Sequence, residues 1–192
     1  NRRFETDFGQ GNILMTVGAA SGLNVILKTL LNPQDEVITF APYFLEYRSY
    51  VSNYDGILVV VSPNTETFQP NLKEFEEKIN EKTKAAIINT PNNPTGVAYS
   101  AETLESMAQI LRDKEKAFGH PIVLISDEPY RELAYDGVEV PYVTKFYDDT
   151  VICYSYSKSL SLPGERIGYL VIPPALAHSK EVFTAATIAN RV

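Results

Sequence analysis

The chain has 192 residues and a formal net charge of −7, from 17 basic and 24 acidic side chains. That length suits one domain with a substantial core. With no run of Lys or Arg to track a phosphate backbone, nucleic acid is not an expected partner. The one cysteine, Cys153, leaves no internal disulfide to form and falls in the apolar run 151–154, so it reads as a small buried hydrophobe in a reducing, cytoplasmic setting. No apolar stretch approaches the roughly 20 residues of a membrane span, and the start Asn1-Arg2-Arg3-Phe4-Glu5 lacks the apolar region of a signal peptide. A soluble protein is expected.

Short apolar runs alternate with stretches of helical period, the pattern of parallel strands joined by crossover helices that cover both faces of a sheet. Strands are expected at 13–17, 36–40, 57–61, 85–89, 122–126, 151–155 and 167–172. The first leads into Gly18-Ala19-Ala20-Ser21-Gly22 and a helical pattern over 23–31. Small residues there let a phosphate reach the free N–H groups of a helix start, and tight packing asks for the same residues. After 36–40, Pro42-Tyr43-Phe44 sets rings at the sheet edge, where one can stack on a flat heterocycle or join the core. After 57–61, Asn71 and Glu74 resemble an N-cap with its returning carboxylate, ahead of the stripe Leu72, Phe75 and Ile79. The mixed charges of 73–84 read as the solvated face of that helix.

Strand 85–89 runs into Thr90-Pro91-Asn92-Asn93-Pro94-Thr95-Gly96, largely a turn, in which the Asn93 amide can donate to a phenolate oxygen. Ser100 reads as the cap of a second helix, with Leu104, Met107, Ala108 and Leu111 on one face. Strand 122–126 is followed by Asp127-Glu128-Pro129-Tyr130. A carboxylate there is costly to bury without a cation such as a protonated pyridine nitrogen, while a helix cap or loop carboxylate is the plainer reading. Strand 151–155 runs into Ser155-Tyr156-Ser157-Lys158, with Arg166 eight residues past Lys158. His120 and His178 fall in no constellation, and no metal is expected. The apolar segment 180–192 reads as a helix with no stop signal; with the missing initial Met, it suggests an excised piece of a longer chain. Five of these strands are thus followed closely by polar or aromatic groups at the edge where open α/β sheets bind ligands.

In this order, Asn93-Pro94-Thr95-Gly96, Asp127 with Tyr130, and Ser155-x-x-Lys158 with Arg166 closely resemble the aminotransferase class I/II family of fold-type I pyridoxal-phosphate enzymes, over about residues 13–173. The resemblance implies a three-layer α/β/α large domain spanning 1–192, whose mostly parallel seven-stranded sheet has one antiparallel strand. It implies that Lys158 holds pyridoxal 5'-phosphate as a Schiff base and then moves protons as general base and acid. The position of Asp127 keeps the ring nitrogen protonated, which makes the cofactor an electron sink. Asn93 and Tyr130 match hydrogen-bonding partners of its phenolic oxygen, Phe44 the aromatic stacked on the ring, and Pro129 the small residue on the other face. The phosphate is expected on the N–H groups of Ala19 and Ala20, the Ser155 hydroxyl and a fork from Arg166, with Gly18 permitting the approach. Many relatives carry a polar side chain where this chain has Ala19-Ala20, so anchoring there rests on backbone.

The reaction implied is amino transfer from an amino acid to a 2-oxo acid by a homodimer, with no nucleic acid or membrane partner. The substrate-binding arginine of a small C-terminal domain, an N-terminal arm and most of the dimer apparatus are not evident. Weak cofactor binding and little transamination are therefore expected of the isolated chain. The same shell suits a carbon–sulfur β-lyase, and the non-enzyme alternative is an aminotransferase-like sensor domain of a transcription regulator.

Overall fold

In the computed structural model, which describes residues 2–191, seven strands form one sheet in the order β1-β7-β6-β5-β4-β2-β3. They are β1 (Ile13–Thr16), β2 (Glu36–Phe40), β3 (Ile57–Val61), β4 (Thr83–Asn89), β5 (Val123–Asp127), β6 (Thr150–Ser155) and β7 (Gly168–Val171). β7 is antiparallel to both neighbours, β1 and β6, and all other pairs are parallel. Six strands therefore point one way and one the other, as the resemblance implied. Strand ends differ from the sequence reading by at most two residues.

The helices are α1 (Gly18–Leu30), α2 (Tyr47–Ser52), α3 (Leu72–Lys78), α4 (Ala101–Phe118), α5 (Tyr156–Ser159) and α6 (Ser179–Ala189). Successive side chains of a strand point to opposite faces, and the central strands are apolar on both. Along β4, Ala85 and Ile87 pack with residues of α1 and α2, while Ala86 and Ile88 pack with residues of α3 and α4. The result is three layers, with α1, α2 and α6 on one face of the sheet and α3 and α4 on the other.

Local chemistry sets the helix ends. Ser100 Oγ accepts the Thr103 N–H at 3.1 Å to start α4, and Gly119, at φ 73°, stops it. Asn71 Oδ1 accepts the Glu74 N–H at 3.3 Å, but the Glu74 carboxylate returns to the Asn71 side-chain amide. α3 ends at Lys78, so the charge run 73–84 is only partly helical. Beyond it Asn80 accepts the Lys82 N–H and gives its own N–H to Thr83 Oγ1, a turn that opens β4. α6 ends at Ala189, short of the expected 192, because Asn190 turns its amide onto the Met15 carbonyl at 2.9 Å. Asn1 and Val192, which the sequence reading included, lie outside the described residues. Cys153 is fully buried, as expected. Among the described residues no helix is long and apolar enough to cross a membrane.

Candidate active site

At the ends of the parallel strands, one cavity of about 300 Å³ is lined by Ala19, Ala20, Phe44, Asn93, Asp127, Pro129, Tyr130, Ser155, Lys158 and Arg166. Ten of the eleven residues singled out in the sequence thus meet at one place. Gly18, the eleventh, lies just behind: a Cβ there would stand 2.6 Å from Arg166 Nη2, and its φ of +78° belongs to the left-handed region. The antiparallel strand explains how Arg166 arrives. Gly168, where β7 begins, pairs with Thr16 and Ser155, where β1 and β6 end, so the residues before β7 reach the same edge.

One side of the cavity suits an anion. α1 begins there without a side-chain cap from Val17, leaving first-turn N–H groups free for a ligand. Ser155 is buried at the end of β6, accepts the Ser157 N–H at 3.0 Å and donates to Ser157 Oγ at 2.7 Å. Arg166 donates to the Pro163 carbonyl at 2.9 Å and holds a left-handed φ of 51°. That conformation costs a non-glycine residue on the order of 1 kcal/mol and recurs at functional sites. Lys158, in the single turn α5, is exposed, with Nζ 5.9 Å from the centre of the Tyr130 ring.

The other side presents neutral donors and one acid. Asn93 Nδ2 donates to Tyr130 Oη at 3.2 Å, so amide and phenol converge. The Asn93 N–H is itself held by Asn89 Oδ1 at 2.6 Å. Burial raises the Tyr130 pKa, the nearby Asp127 adds to the rise and the Asn93 amide opposes it. Asp127 is 5% exposed. Its Oδ2 accepts the Tyr47 hydroxyl at 2.6 Å, and its Oδ1 is, among the described residues, the buried side-chain oxygen with no hydrogen-bond partner. Burial pushes its pKa up to about 7; the Tyr47 hydrogen bond works against that rise and the Glu128 charge adds to it.

Sequence reasoning missed Leu23, Tyr50, Asn89, Ser157 and Pro163 on the cavity wall, and Tyr47 behind it. Asn89 carries the same signal as Asp127, a polar residue closing an apolar strand, and that logic could have found it. It also missed a buried ion pair, Arg131 Nε to Glu128 Oε2 at 2.6 Å, although the i,i+3 spacing was visible. Arg131 lies outside the cavity and fastens the loop after β5 through the Val140 and Pro141 carbonyls. Neither His120 nor His178 lines the cavity. Among the described residues no group of three His, Cys, Asp or Glu is placed to hold a metal.

Sheet order and a cavity at the strand ends, beside a helix start with no side-chain cap, define an open α/β domain of the kind that binds ligands at this edge. The sequence pattern of aminotransferase class I and II matches residues 2–191, and the chain belongs to that family. An amino transferase from Eubacterium rectale superposes with a TM-score of 0.98 at 48% identity, over 100% of this chain and 48% of that one. The aspartate aminotransferase of Thermus thermophilus, solved with maleate, superposes with a TM-score of 0.87 at 30% identity, over 99% of this chain and 47% of that one. The aspartate aminotransferase of Thermotoga maritima is 36% identical over 172 residues, 88% of this chain and 44% of its own length. The chain spans about half the length of these relatives.

Proposed function

We propose that residues 1–192 form the cofactor-binding large domain of a pyridoxal-phosphate-dependent aminotransferase that moves an amino group from an amino acid to a 2-oxo acid. The observation that carries this reading is the open Oδ1 of Asp127. A buried carboxylate oxygen with no donor calls for a cation, and a protonated pyridine nitrogen is one that suits a cavity also lined by the Lys158 amine and the Arg166 guanidinium.

In this reading Lys158 holds the cofactor's aldehyde carbon. Arg166, Ser155 and the first N–H groups of α1 hold its phosphate, Asn93 and Tyr130 its phenolic oxygen, and Phe44 and Pro129 the faces of its ring. Bound there, the cofactor supplies an electron sink for the charge left at the substrate Cα. Asp127 keeps the proton on the ring nitrogen. The Lys158 amine, once displaced by the substrate's, would take the Cα proton as general base and hand it back as general acid. The Tyr130 phenol, raised in pKa, stays neutral and donates throughout. Residues that read the substrate side chain and any dimer contacts belong to the complete protein, and the isolated chain is expected to turn over little.

Amino transfer is favoured over elimination because the relatives cited above are aminotransferases by name. Assays of the complete protein with pyridoxal phosphate, an amino acid and a 2-oxo acid should give amino transfer, and Lys158→Ala should lower it roughly a thousandfold or more. Release of ammonia and a 2-oxo acid without an acceptor identifies a lyase and overturns the aminotransferase reading. Absence of both activities, beside a winged-helix segment elsewhere in the complete protein, identifies the sensor domain.

A further inference from the structure

We infer that Tyr47, which does not touch the cavity, sets the position of the proton shared between Asp127 and the cofactor's ring nitrogen. The inference rests on the reading of Asp127 given above. Tyr47 is 1% exposed, on α2, with the Phe44 ring edge-on at 5.7 Å and the Tyr43 ring at 6.4 Å. Its hydroxyl donates to Asp127 Oδ2 at 2.6 Å, the length of a charge-assisted O–H···O bond. Burial holds its phenol well above the usual pKa, with the Asp127 charge adding to the rise, so it remains a donor at every physiological pH. With Oδ2 engaged, Oδ1 is the oxygen left for a ligand.

The rest of the surroundings pull the other way. Burial and the Glu128 charge raise the proton affinity of Asp127. Cys153, Tyr50 and Tyr130 near it stay neutral, with pKa values raised first by burial and also by the Asp127 charge, and the cavity's cations, Lys158 and Arg166, make no ion pair with it. A carboxylate with too high a proton affinity takes the proton from its partner: the N–H bond breaks, an Oδ1–H bond forms, and a neutral acid faces a neutral pyridine. The electron sink is then weakened. Hydrogen bonding to the charged form of an acid lowers its proton affinity, so the Tyr47 hydroxyl keeps Asp127 a carboxylate and leaves the proton on nitrogen. Tyr47 is thus a positioning residue, acting on the cofactor through Asp127.

The test is nitrogen NMR of the complete protein loaded with pyridoxal phosphate labelled with ¹⁵N in the ring. The wild type should show a protonated ring nitrogen, Asp127→Asn a neutral one, and Tyr47→Phe a shift toward neutral together with a roughly tenfold or greater fall in kcat and little change in KM. A fluorotyrosine at position 47 keeps ring and hydroxyl, so folding is not in question; its stronger donor should move the shift toward the protonated side. If Asp127→Asn moves the resonance and neither change at 47 does, the role of Tyr47 is overturned while the cofactor reading stands. If Asp127→Asn leaves the resonance in place, the cofactor reading fails and takes this inference with it.

Discussion

Asp127 closes a strand whose five residues are all buried, and it does so with one oxygen unpartnered. Such a site disfavours the charged form, and the raised pKa gives the consequence a sign. With a folded pKa of about 7 against the usual 3.8, the unfolded chain releases its proton first as pH rises. The stability contributed by this residue is therefore full below about 3.8 and is lost as the pH climbs through about 7. Asp127→Asn should stabilise the cofactor-free protein by a few kcal/mol near neutral pH and flatten that part of its pH profile, while lowering its affinity for pyridoxal phosphate. Thermal unfolding across pH and a cofactor titration check both arms; a variant less stable than wild type at pH 7.5 contradicts the account. Asp127 was legible as a carboxylate at the end of an apolar strand, whereas Lys158, in α5 beyond β6, stood out only through its company with Asn93, Asp127, Tyr130, Ser155 and Arg166 in the family resemblance. Tyr47 was not, because it lies among Tyr43, Phe44 and Tyr50 with no contrast around it, and its partner is 80 residues away.

Among the elements, the junction of β1 and α1 places three candidate residues, Gly18, Ala19 and Ala20, in succession at the cavity. Gly18 holds a left-handed φ and lets the Arg166 guanidinium lie against the helix start. Gly18→Ala brings strain and a contact with Arg166 together, so it should cost roughly 1–2 kcal/mol of stability and weaken cofactor binding more than folding. Chemical denaturation beside a fluorescence titration with pyridoxal phosphate measures both; an unchanged dissociation constant counts against the phosphate assignment. The strands were legible because each holds a short apolar run, such as Val123-Leu124-Ile125 in β5 or Val151-Ile152-Cys153-Tyr154 in β6. The reversed direction of β7 was not readable from its residues, since an apolar run is the same in either direction, and it came from the family resemblance. α2 escaped notice because six residues do not complete two helical turns. The charge run 73–84 was read as a single helix because its periodicity gave no weight to the turn chemistry of Asn80.

Across the whole molecule, the two apolar clusters on either side of the sheet bring the strand ends to one edge, and the cavity is a product of that arrangement. Seven of the eleven candidate residues come from four separate strand-to-helix junctions, Asp127, Pro129 and Tyr130 from the end of β5 and the segment just after it, and Arg166 from the segment that leads into β7. None of these places is informative alone; a parallel sheet turns them into one site. Lys158 is proposed as the residue to which the cofactor attaches. The most direct measurement is to load the protein with pyridoxal phosphate, fix the linkage with borohydride, digest the product and map the modified peptide by mass spectrometry. The pyridoxyl group is predicted on the peptide containing Lys158, and no other lysine should take it up when Lys158→Ala is treated in the same way. A label absent from that peptide, or scattered over surface lysines in wild type and variant alike, contradicts the account.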